Sequence, residues 1–335
     1  MERDAMIEFA HNALGIPVSS ASTLLPLAVR GSGRTFYRFT WSEYNSAILV
    51  HYDPGRRENS YYADIAVFLS PRGVPVPSVI GRDQEKNLIL MEDLGNRDLF
   101  SFSKEDPEMR SILYHKTLAV AKRLHTIPEK DLSAQPLELM DGFGPSLYRY
   151  EQDYFMDHFV KGHCGIDLEP TFLKELATEF TDLCERLGKT DHCLIHRDLQ
   201  SQNVMIKDGE PYLIDFQGMR FGNLFYDLGS LLCDPYVTIA SEEREEFLSF
   251  YYVLSAQQLD WEAFLNAFWE ASVQRLMQAL GAYGFLGRIK GLTDFLDHMP
   301  AGLDNLRLAV SQVPALPTLC ELIEVCGVMM GGHQS

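Results

Sequence analysis

The sequence HRDLQSQN at positions 196–203, followed twelve residues later by Asp215, constrains the fold of this chain more than any other segment. Short apolar runs surround it at residues 193–195, 204–206 and 212–214. Asp208-Gly209, between the last two runs, is a strong turn signal, so the pattern predicts a β-hairpin. Asn203 then stands at the entrance of the hairpin and Asp215 at its exit, and the loop that carries Asp198 lies beside both.

Three oxygen-bearing side chains in this arrangement are suited to phosphoryl transfer. Asp215 and Asn203 offer a carboxylate and an amide oxygen, which are ligands that Mg²⁺ accepts alongside water and nucleotide phosphates. Asp198 is then available to take the proton of an acceptor hydroxyl as that hydroxyl attacks the γ-phosphorus. Asp and Asn are also common turn formers and helix caps, but that role does not explain the whole constellation together with its hairpin.

Two neighbouring residues support this segment in our interpretation. His196 is expected to hold the loop by hydrogen bonding rather than to act as a base. Asp227 heads an apolar stretch, and the sequence leaves two roles open for it. It either orders the catalytic loop or caps the helix that follows.

Three more segments accompany the catalytic one. Residues 27–38 hold a turn of small residues followed by an Arg-x-aromatic-aromatic-Arg strand, residues 90–95 read LMEDLG, and residues 150–159 are acidic and aromatic. Together with residues 196–234, these segments resemble the aminoglycoside-phosphotransferase-like branch of the protein-kinase fold. Within that branch they resemble the sugar-1-kinases that phosphorylate the anomeric hydroxyl of N-acetylmuramate and N-acetylglucosamine in bacterial cell-wall recycling.

The resemblance implies an α+β, bilobal protein-kinase-like fold with a small antiparallel-sheet N-lobe and a large helical C-lobe. The nucleotide-binding lobe is expected at residues 1–93, and the helical lobe with the catalytic loop and acceptor site at residues 94–335. ATP and Mg²⁺ are the implied cofactors, with Asp198, Asn203 and Asp215 catalytic and the last two also binding the metal. The residues expected to bind ATP are Gly31, Ser32, Gly33, Arg34, Met91, Glu92 and Leu94.

The acceptor site is expected to combine flat apolar surface with directed polar groups, as a sugar requires. Arg149 and Arg220 could each pair with the lactyl carboxylate of N-acetylmuramate, because a guanidinium matches a carboxylate with two hydrogen bonds. Gln200 and Gln217 flank the catalytic aspartates and could reach an acceptor hydroxyl. The residues expected to bind the acceptor are therefore Arg149, Glu151, Gln200, Gln217 and Arg220.

The chain departs from the protein-kinase pattern in two places. Protein kinases carry a lysine on the third strand that holds the α- and β-phosphates, and the corresponding residues 46–53, SAILVHYD, contain none. The sugar-1-kinases also tend to lack it, and the candidates to replace it are Arg30, Arg34 and His51. The second departure is Arg30 itself, since the resembled loop usually has an acidic residue there.

The sequence therefore predicts an ATP- and Mg²⁺-dependent kinase of a small hydroxylated acceptor, specifically an amino sugar at its anomeric position. An aminoglycoside or choline-type amino-alcohol kinase is the alternative within the same enzyme class. A catalytically weak pseudokinase that acts through a protein partner is the alternative from another class. The sugar, the hydroxyl, the choice between ATP and GTP, and the oligomeric state stay open.

Composition excludes several other classes of function. A net charge of −18, from 29 basic and 47 acidic residues, argues against binding nucleic acid, which needs a basic surface. No apolar stretch is long enough to span a bilayer, and the N-terminus does not read as a signal peptide. The six cysteines show no Cys-x-x-Cys spacing or zinc-ligand pattern. A cytoplasmic protein without a membrane partner is expected.

Periodicity gives a coarse map of the remaining elements. Helices are predicted at residues 3–14, 61–69 and 111–125, and a long amphipathic helix begins at residue 261. Two or three strands are predicted before residue 52. Two further strands, at residues 74–79 and 88–91, are predicted on either side of a turn at residues 82–87.

Overall fold

The N-terminal part of the chain forms one antiparallel sheet. The computed structural model describes residues 3–18, 21–27, 33–103, 106–134, 137–256 and 258–332. Within them, five strands pair in the order β1-β2-β3-β5-β4. The strands are β1 (Thr23–Pro26), β2 (Arg34–Ser42), β3 (Asn45–Tyr52), β4 (Val79–Asp83) and β5 (Leu88–Glu92).

Each face of this sheet is covered by a different part of the chain, because successive side chains of a strand point to opposite faces. Leu49 of β3 packs with α1 (Arg3–Leu14) on one face, in a cluster that also holds Phe39. Ile48 and Val50 face the other way and join the main core with α2 (Tyr62–Leu69). The second face, with Ile48, is also the one that borders the cleft described below.

The fourth strand lies later in the chain than the sequence pattern predicted. A strand at residues 74–79 is wrong, since β4 spans Val79–Asp83. Pro75 and Pro77 have no backbone N–H, so residues 74–78 cannot donate a continuous hydrogen-bond ladder. The helix at α2, by contrast, begins within one residue of its predicted start, and α1 has its predicted bounds.

The larger C-terminal part is predominantly helical. Its helices are α3 (Pro107–His125), α4 (Glu129–Ala134), α5 (Pro145–Phe155), α6 (Pro170–Gly188), α7 (Leu224–Leu232), α8 (Ser241–Ser255), α9 (Trp261–Gly284), α10 (Met299–Ser311) and α11 (Pro317–Gly332). The long helix predicted from residue 261 is α9, and it packs against α5, α7 and α10. A Cβ on Gly229 of α7 would lie 3.0 Å from the Cα of Ser272, so only glycine permits this close crossing.

Four short strands carry the catalytic segment on this helical body. β6 (His192–Ile195) pairs with β9 (Arg220–Asn223), and β7 (Val204–Lys207) pairs with β8 (Glu210–Leu213). The predicted hairpin is confirmed as β7 and β8. Its turn residues Asp208 and Gly209 both have positive φ, of 54° and 74°, as a tight two-residue hairpin turn requires.

Within the described parts of the chain, none of the helices combines the length and the apolar composition that spanning a bilayer requires.

Candidate active site

A cleft of about 280 Å³ opens between the five-stranded sheet and the β7–β8 hairpin. Apolar side chains line both of its walls: Leu27, Phe36, Ile48 and Met91 from the sheet side, and Met205 and Ile214 from the hairpin side. Polar groups are concentrated at the two ends, around Asp93 at one end and Asp215 at the other. A flat apolar slot with polar ends is suited to a nucleotide base with its phosphates.

The segment predicted to bind adenine forms one end of the cleft. Met91, Glu92 and Leu94 all line it. The carboxylate of Glu92 accepts hydrogen bonds from Nζ of Lys207 at 2.6 Å and from the backbone N–H of Ser78 at 3.2 Å. Glu92 therefore connects β5 to the hairpin. This connection fixes the distance between the two walls of the cleft.

The next residue, Asp93, stiffens the same segment. Its carboxylate receives Nε of Arg38 at 2.6 Å and a second nitrogen of the same guanidinium at 3.0 Å, and Ser46 donates its hydroxyl at 2.7 Å. Burial alone would raise the pKa of Asp93, but the hydrogen bonds from Arg38 and Ser46 outweigh it and hold the pKa below its usual value. Backbone groups of residues 93–95 are thereby presented on a rigid support.

The predicted phosphate loop is described only at its end. Gly31 and Ser32 lie outside the described residues, as does Arg30. Gly33 has a φ of 67°, a conformation that favours glycine. Arg34 begins β2 directly after it, is 5% exposed, and pairs with Asp215 at the far end of the cleft. His51, another candidate for the phosphate contact, is on the opposite face of β3 from Ile48 and Val50.

Asp198 lies between two arginines in the loop before the hairpin. Oδ2 accepts a hydrogen bond from Arg197 at 2.9 Å, and a guanidinium nitrogen of Arg275 lies 3.4 Å from Oδ1. Burial alone would raise the pKa of Asp198, but the charges of Arg197 and Arg275 outweigh it and hold the pKa below its usual range. The side chain is therefore an ionised carboxylate at neutral pH, as an acceptor of hydroxyl protons must be.

Hydrogen bonds to Asp227 fix the backbone of this loop. Its two oxygens accept from the N–H groups of His196 at 2.7 Å and Arg197 at 2.8 Å, and His125 Nε2 lies 3.0 Å away. Of its two proposed roles, the contacts support ordering the loop, since the N-cap of α7 is Asn223 instead. Arg197 has a φ of 78°, an uncommon conformation that surrounding contacts must maintain.

The ring of His196 makes the structural contact expected of it. It is fully buried, and its Nε2 donates to the carbonyl of Ile214 at 2.9 Å. This bond connects the loop to the residue directly before Asp215. The positions of Asp198 and Asp215 are thus fixed relative to each other through the backbone.

Asn203 and Asp215 border the cleft together, at the two ends of the hairpin. Nδ2 of Asn203 donates to the carbonyl of Asp198 at 2.8 Å, so the amide oxygen is the atom of this side chain that could bind a metal, as predicted. Asp215 has a φ of 65° and is about one-third exposed. Within the described ranges, no three His, Cys, Asp or Glu side chains form a metal site. One carboxylate and one amide oxygen fit Mg²⁺ that is shared with phosphates.

The predicted acceptor residues divide into two groups. Glu151, on α5, is buried beside the catalytic loop, where it accepts from Tyr226 at 3.1 Å and lies 3.7 Å from Arg197. Burial raises the pKa of Glu151. Nε2 of Gln217 donates a hydrogen bond to Oδ1 of Asp215 at 3.0 Å, and Oε1 of Gln217 accepts one from Arg34.

Arg220 belongs to the same group, but no carboxylate of a described residue lies within ion-pair distance of it, and Glu151 and Asp198 act on its charge only from farther away. Arg220 is buried, its Nε donates to the carbonyl of Gly218 at 3.0 Å, and its guanidinium carbon lies 5.4 Å from the Phe143 ring centre. Burial and the charge of Arg197 lower the pKa of Arg220. A buried cation that makes no direct ion pair with a described residue is costly and favours an anionic ligand.

The other predicted acceptor residues lie differently. Arg149 is 42% exposed, pairs with Asp153 one helical turn away at 3.0 Å, and stacks toward Phe180 on α6. It does not join the cluster around Asp198. Gln200 contributes its backbone to the loop, donating to the carbonyl of Asp198 at 2.8 Å and accepting from the N–H of Asn203.

Sequence reasoning missed Arg275 and Gln274, two buried residues of α9. Gln274 donates to Glu151 at 3.2 Å, and Arg275 approaches Asp198 as described above. The signal was present, because these two polar residues interrupt an apolar run on a core helix. Buried polar side chains at such positions usually serve a partner or a site.

Comparisons with known proteins agree with this architecture. Residues 24–265 match the phosphotransferase enzyme family. The chain is 23% identical over 313 residues to an N-acetylmuramate/N-acetylglucosamine kinase of Pseudomonas aeruginosa, covering 90% of this chain and 87% of that protein. Among solved structures, a choline/ethanolamine kinase family protein from Mesorhizobium loti has a TM-score of 0.62 at 13% identity, covering 95% of this chain and 99% of that one.

An ADP-bound aminoglycoside phosphotransferase has a TM-score of 0.60 at 15% identity and covers 91% of this chain and 99% of its own. At such low identity, these structures bear on the fold alone. The five-stranded antiparallel sheet, the helical remainder and these neighbours confirm the predicted α+β, protein-kinase-like fold. The boundary between lobes at residues 93 and 94 stays a prediction.

Proposed function

The chain belongs to the phosphotransferase enzyme family and is a small-molecule kinase, and from that premise we propose its reaction. The enzyme transfers the γ-phosphoryl group of ATP to the anomeric hydroxyl of an amino sugar, with N-acetylmuramate and N-acetylglucosamine as acceptors. The named activity of the Pseudomonas aeruginosa relative supports this choice of acceptor. The same role assigns the enzyme to cell-wall recycling in the cytoplasm.

One observation carries the proposal: Asn203 and Asp215 lie together at one end of a cleft whose other end is the predicted adenine segment, and the loop that carries Asp198 adjoins Asn203. Asn203 and Asp215 line that cleft, and Asn203 is hydrogen-bonded to the backbone of Asp198. Asn203 and Asp215 would hold Mg²⁺, which when bound neutralises charge on the β- and γ-phosphates. Met91, Glu92 and Leu94 would border the adenine.

Asp198 orients the acceptor hydroxyl and takes its proton during transfer. A carboxylate between two arginines is a weak base, which is best matched to a hydroxyl more acidic than an ordinary alcohol. The anomeric hydroxyl is the most acidic hydroxyl of a sugar. The environment of Asp198 therefore supports transfer to the anomeric position.

Arg220 supports an acceptor that carries a carboxylate. N-acetylmuramate differs from N-acetylglucosamine by its lactyl group, whose carboxylate would form the direct ion pair that Arg220 makes with no described residue. Arg149 is less suited to this role, because Asp153 already pairs with it on an exposed face. Glu151 and Gln217 remain the proposed partners of the sugar hydroxyls and amide, and Gln200 orders the loop beneath them.

The two alternatives fit the site less well. A choline-type or aminoglycoside acceptor would bring a cation close to Arg220 and Arg197, although the acidic net charge of −18 would attract it to the protein as a whole. A pseudokinase has no need of a base, a metal carboxylate and an amide oxygen held in register. Neither a nucleic-acid nor a membrane partner enters the proposal.

The proposal is tested by measuring ADP release from Mg·ATP across a panel of acceptors. The panel contains N-acetylmuramate, N-acetylglucosamine, glucose, an aminoglycoside and choline, with the Asp198→Ala variant as the blank. Turnover with the two N-acetylated sugars alone supports the assignment. Turnover only with the cationic acceptors would replace it with the alternative kinase. ATP binding without turnover on any acceptor would favour the pseudokinase.

A further inference from the structure

Arg34 connects the two walls of the cleft at its phosphate end. It lies at the start of β2, and its guanidinium forms an ion pair with Oδ1 of Asp215 and donates to Oε1 of Gln217 at 2.8 Å. The side chain is almost completely buried, and the ring of Phe36 lies 5.5 Å from the guanidinium carbon. A residue of the small sheet thus holds the carboxylate that the reaction assigns to the metal.

The oxygen that Arg34 contacts is already shared. Nε2 of Gln217 also donates to Oδ1 of Asp215, at 3.0 Å. A divalent cation and a guanidinium both require the negative charge of this carboxylate, so binding of one opposes binding of the other. Asn203 is the second metal-binding residue at the site, and its neutral amide cannot compensate for the loss of Asp215.

The same arginine lies where a phosphate-binding cation is missing. On the cleft face of β3, the next side chain along the strand after that of Ile48 belongs to Val50. This apolar residue pairs in register with Phe36 of β2. Arg34 and Val50 border one small cavity behind the cleft. The guanidinium of Arg34, on β2, therefore reaches the region in which protein kinases place the lysine of the third strand.

We propose that Arg34 alternates between two anions and thereby makes metal binding depend on the nucleotide. Without nucleotide, Arg34 neutralises Asp215 and keeps free divalent cations off it. When Mg·ATP enters, Arg34 moves to the α- and β-phosphates and releases Asp215 to the metal. This inference rests on the proposed function, because it takes Mg·ATP as the ligand of the cleft.

Two measurements on Arg34→Gln test the inference, and they are expected to change in opposite directions. Binding of Mn²⁺ without nucleotide, followed by electron paramagnetic resonance, should tighten by about tenfold, a usual strength of coupling between two ligands. Binding of Mg·ATP, followed by calorimetry, should weaken by about tenfold for the same reason. Arg34→Lys keeps the positive charge, so its affinities should lie between those of the wild type and Arg34→Gln.

Arg82→Gln is the matched control, because Arg82 forms an exposed ion pair with Asp64 at 2.6 Å in the same lobe. It should leave both affinities unchanged. Unchanged or weaker Mn²⁺ binding by both Arg34 variants would overturn the inference while leaving the kinase assignment intact. A wild-type protein that binds no Mg·ATP would overturn the proposed function and the inference together.

Discussion

Arg275 of α9 places a guanidinium nitrogen 3.4 Å from Oδ1 of Asp198, whereas Arg197 contacts the other carboxylate oxygen, Oδ2. Ser230 and Gln278 hold this guanidinium in turn, at 3.1 Å and 2.6 Å. Two elements far apart in the sequence, the loop that carries Arg197 and the helix α9, thus hold Asp198 in place and keep it ionised. If Asp198 is the base, as we propose, only its charged form takes a proton, so Arg197 and Arg275 together should extend the working pH range to lower pH.

Replacing Arg275 should raise the lower limit of the pH range in which the enzyme is active. A carboxyl whose pKa is depressed in the folded protein stays ionised until the pH falls through that low value. In Arg275→Gln the positive charge is gone while the burial that raises the pKa of Asp198 remains. The acid limb of log kcat/KM against pH should therefore move to higher pH, whereas an unmoved limb would contradict this role of Arg275.

Asp198 and Asp215 should fail in different ways when they are replaced. Asp198→Ala should lower kcat by about 10²–10⁴-fold, the usual contribution of a positioned acid or base, and should leave the Kd of Mg·ATP nearly unchanged. Asp215→Ala should weaken Mg·ATP binding as well, because a metal ligand is lost. Steady-state kinetics and calorimetry on both variants separate the two effects. Normal turnover by Asp198→Ala would show that the base is misassigned.

Asp227 should matter for stability as much as for activity. Asp227→Ala leaves two loop N–H groups and His125 without their buried acceptor, so the free energy of unfolding should fall by about 3 kcal/mol or more. Asp153→Ala removes an exposed carboxylate from an ion pair and should cost less than about 0.5 kcal/mol. Urea denaturation measures both, and equal losses would contradict the assigned role of Asp227.

Arg220 should discriminate between the two proposed sugars. Arg220→Met should reduce the ratio of kcat/KM for N-acetylmuramate to that for N-acetylglucosamine by about tenfold or more, since a hydrogen-bonded charge pair is lost only with the first. If the substitution also alters Asp198, the proposed base, kcat/KM should change by the same factor for both sugars, so the ratio is unaffected. Arg149→Met is the control and should leave the ratio unchanged; the reverse result would move the carboxylate site to Arg149.

Local signals in the sequence predicted the elements that depend on neighbouring residues. The Asp208-Gly209 turn defined the hairpin, and α1 has the bounds read from its apolar pattern. The start of α3 was predicted four residues late, at residue 111. Asp106 accepts a hydrogen bond from the N–H of Glu108 at 3.1 Å, and this N-cap signal with the following proline was overlooked.

Contacts between residues that are far apart in the sequence could not be predicted from the sequence. Nothing in the apolar period of α9 indicates that Arg275 lies beside Asp198, because that depends on how α9 crosses α7. The pairing of Arg34 with Asp215, 181 positions apart, likewise depends on the closure of one lobe over the other. The proximity of Asp198, Asn203 and Asp215 was predictable, since they share one loop and one hairpin, and their catalytic roles stay a prediction.

Phosphorus NMR of the wild-type protein with Mg·ATP and either N-acetylated sugar distinguishes transfer to the anomeric hydroxyl from every other outcome. Transfer to the anomeric position should give a new phosphomonoester resonance that couples to the anomeric proton, and Asp198→Ala should give no such resonance. A phosphate coupled to the protons at carbon 6, or no sugar phosphate although ATP is bound, would contradict it.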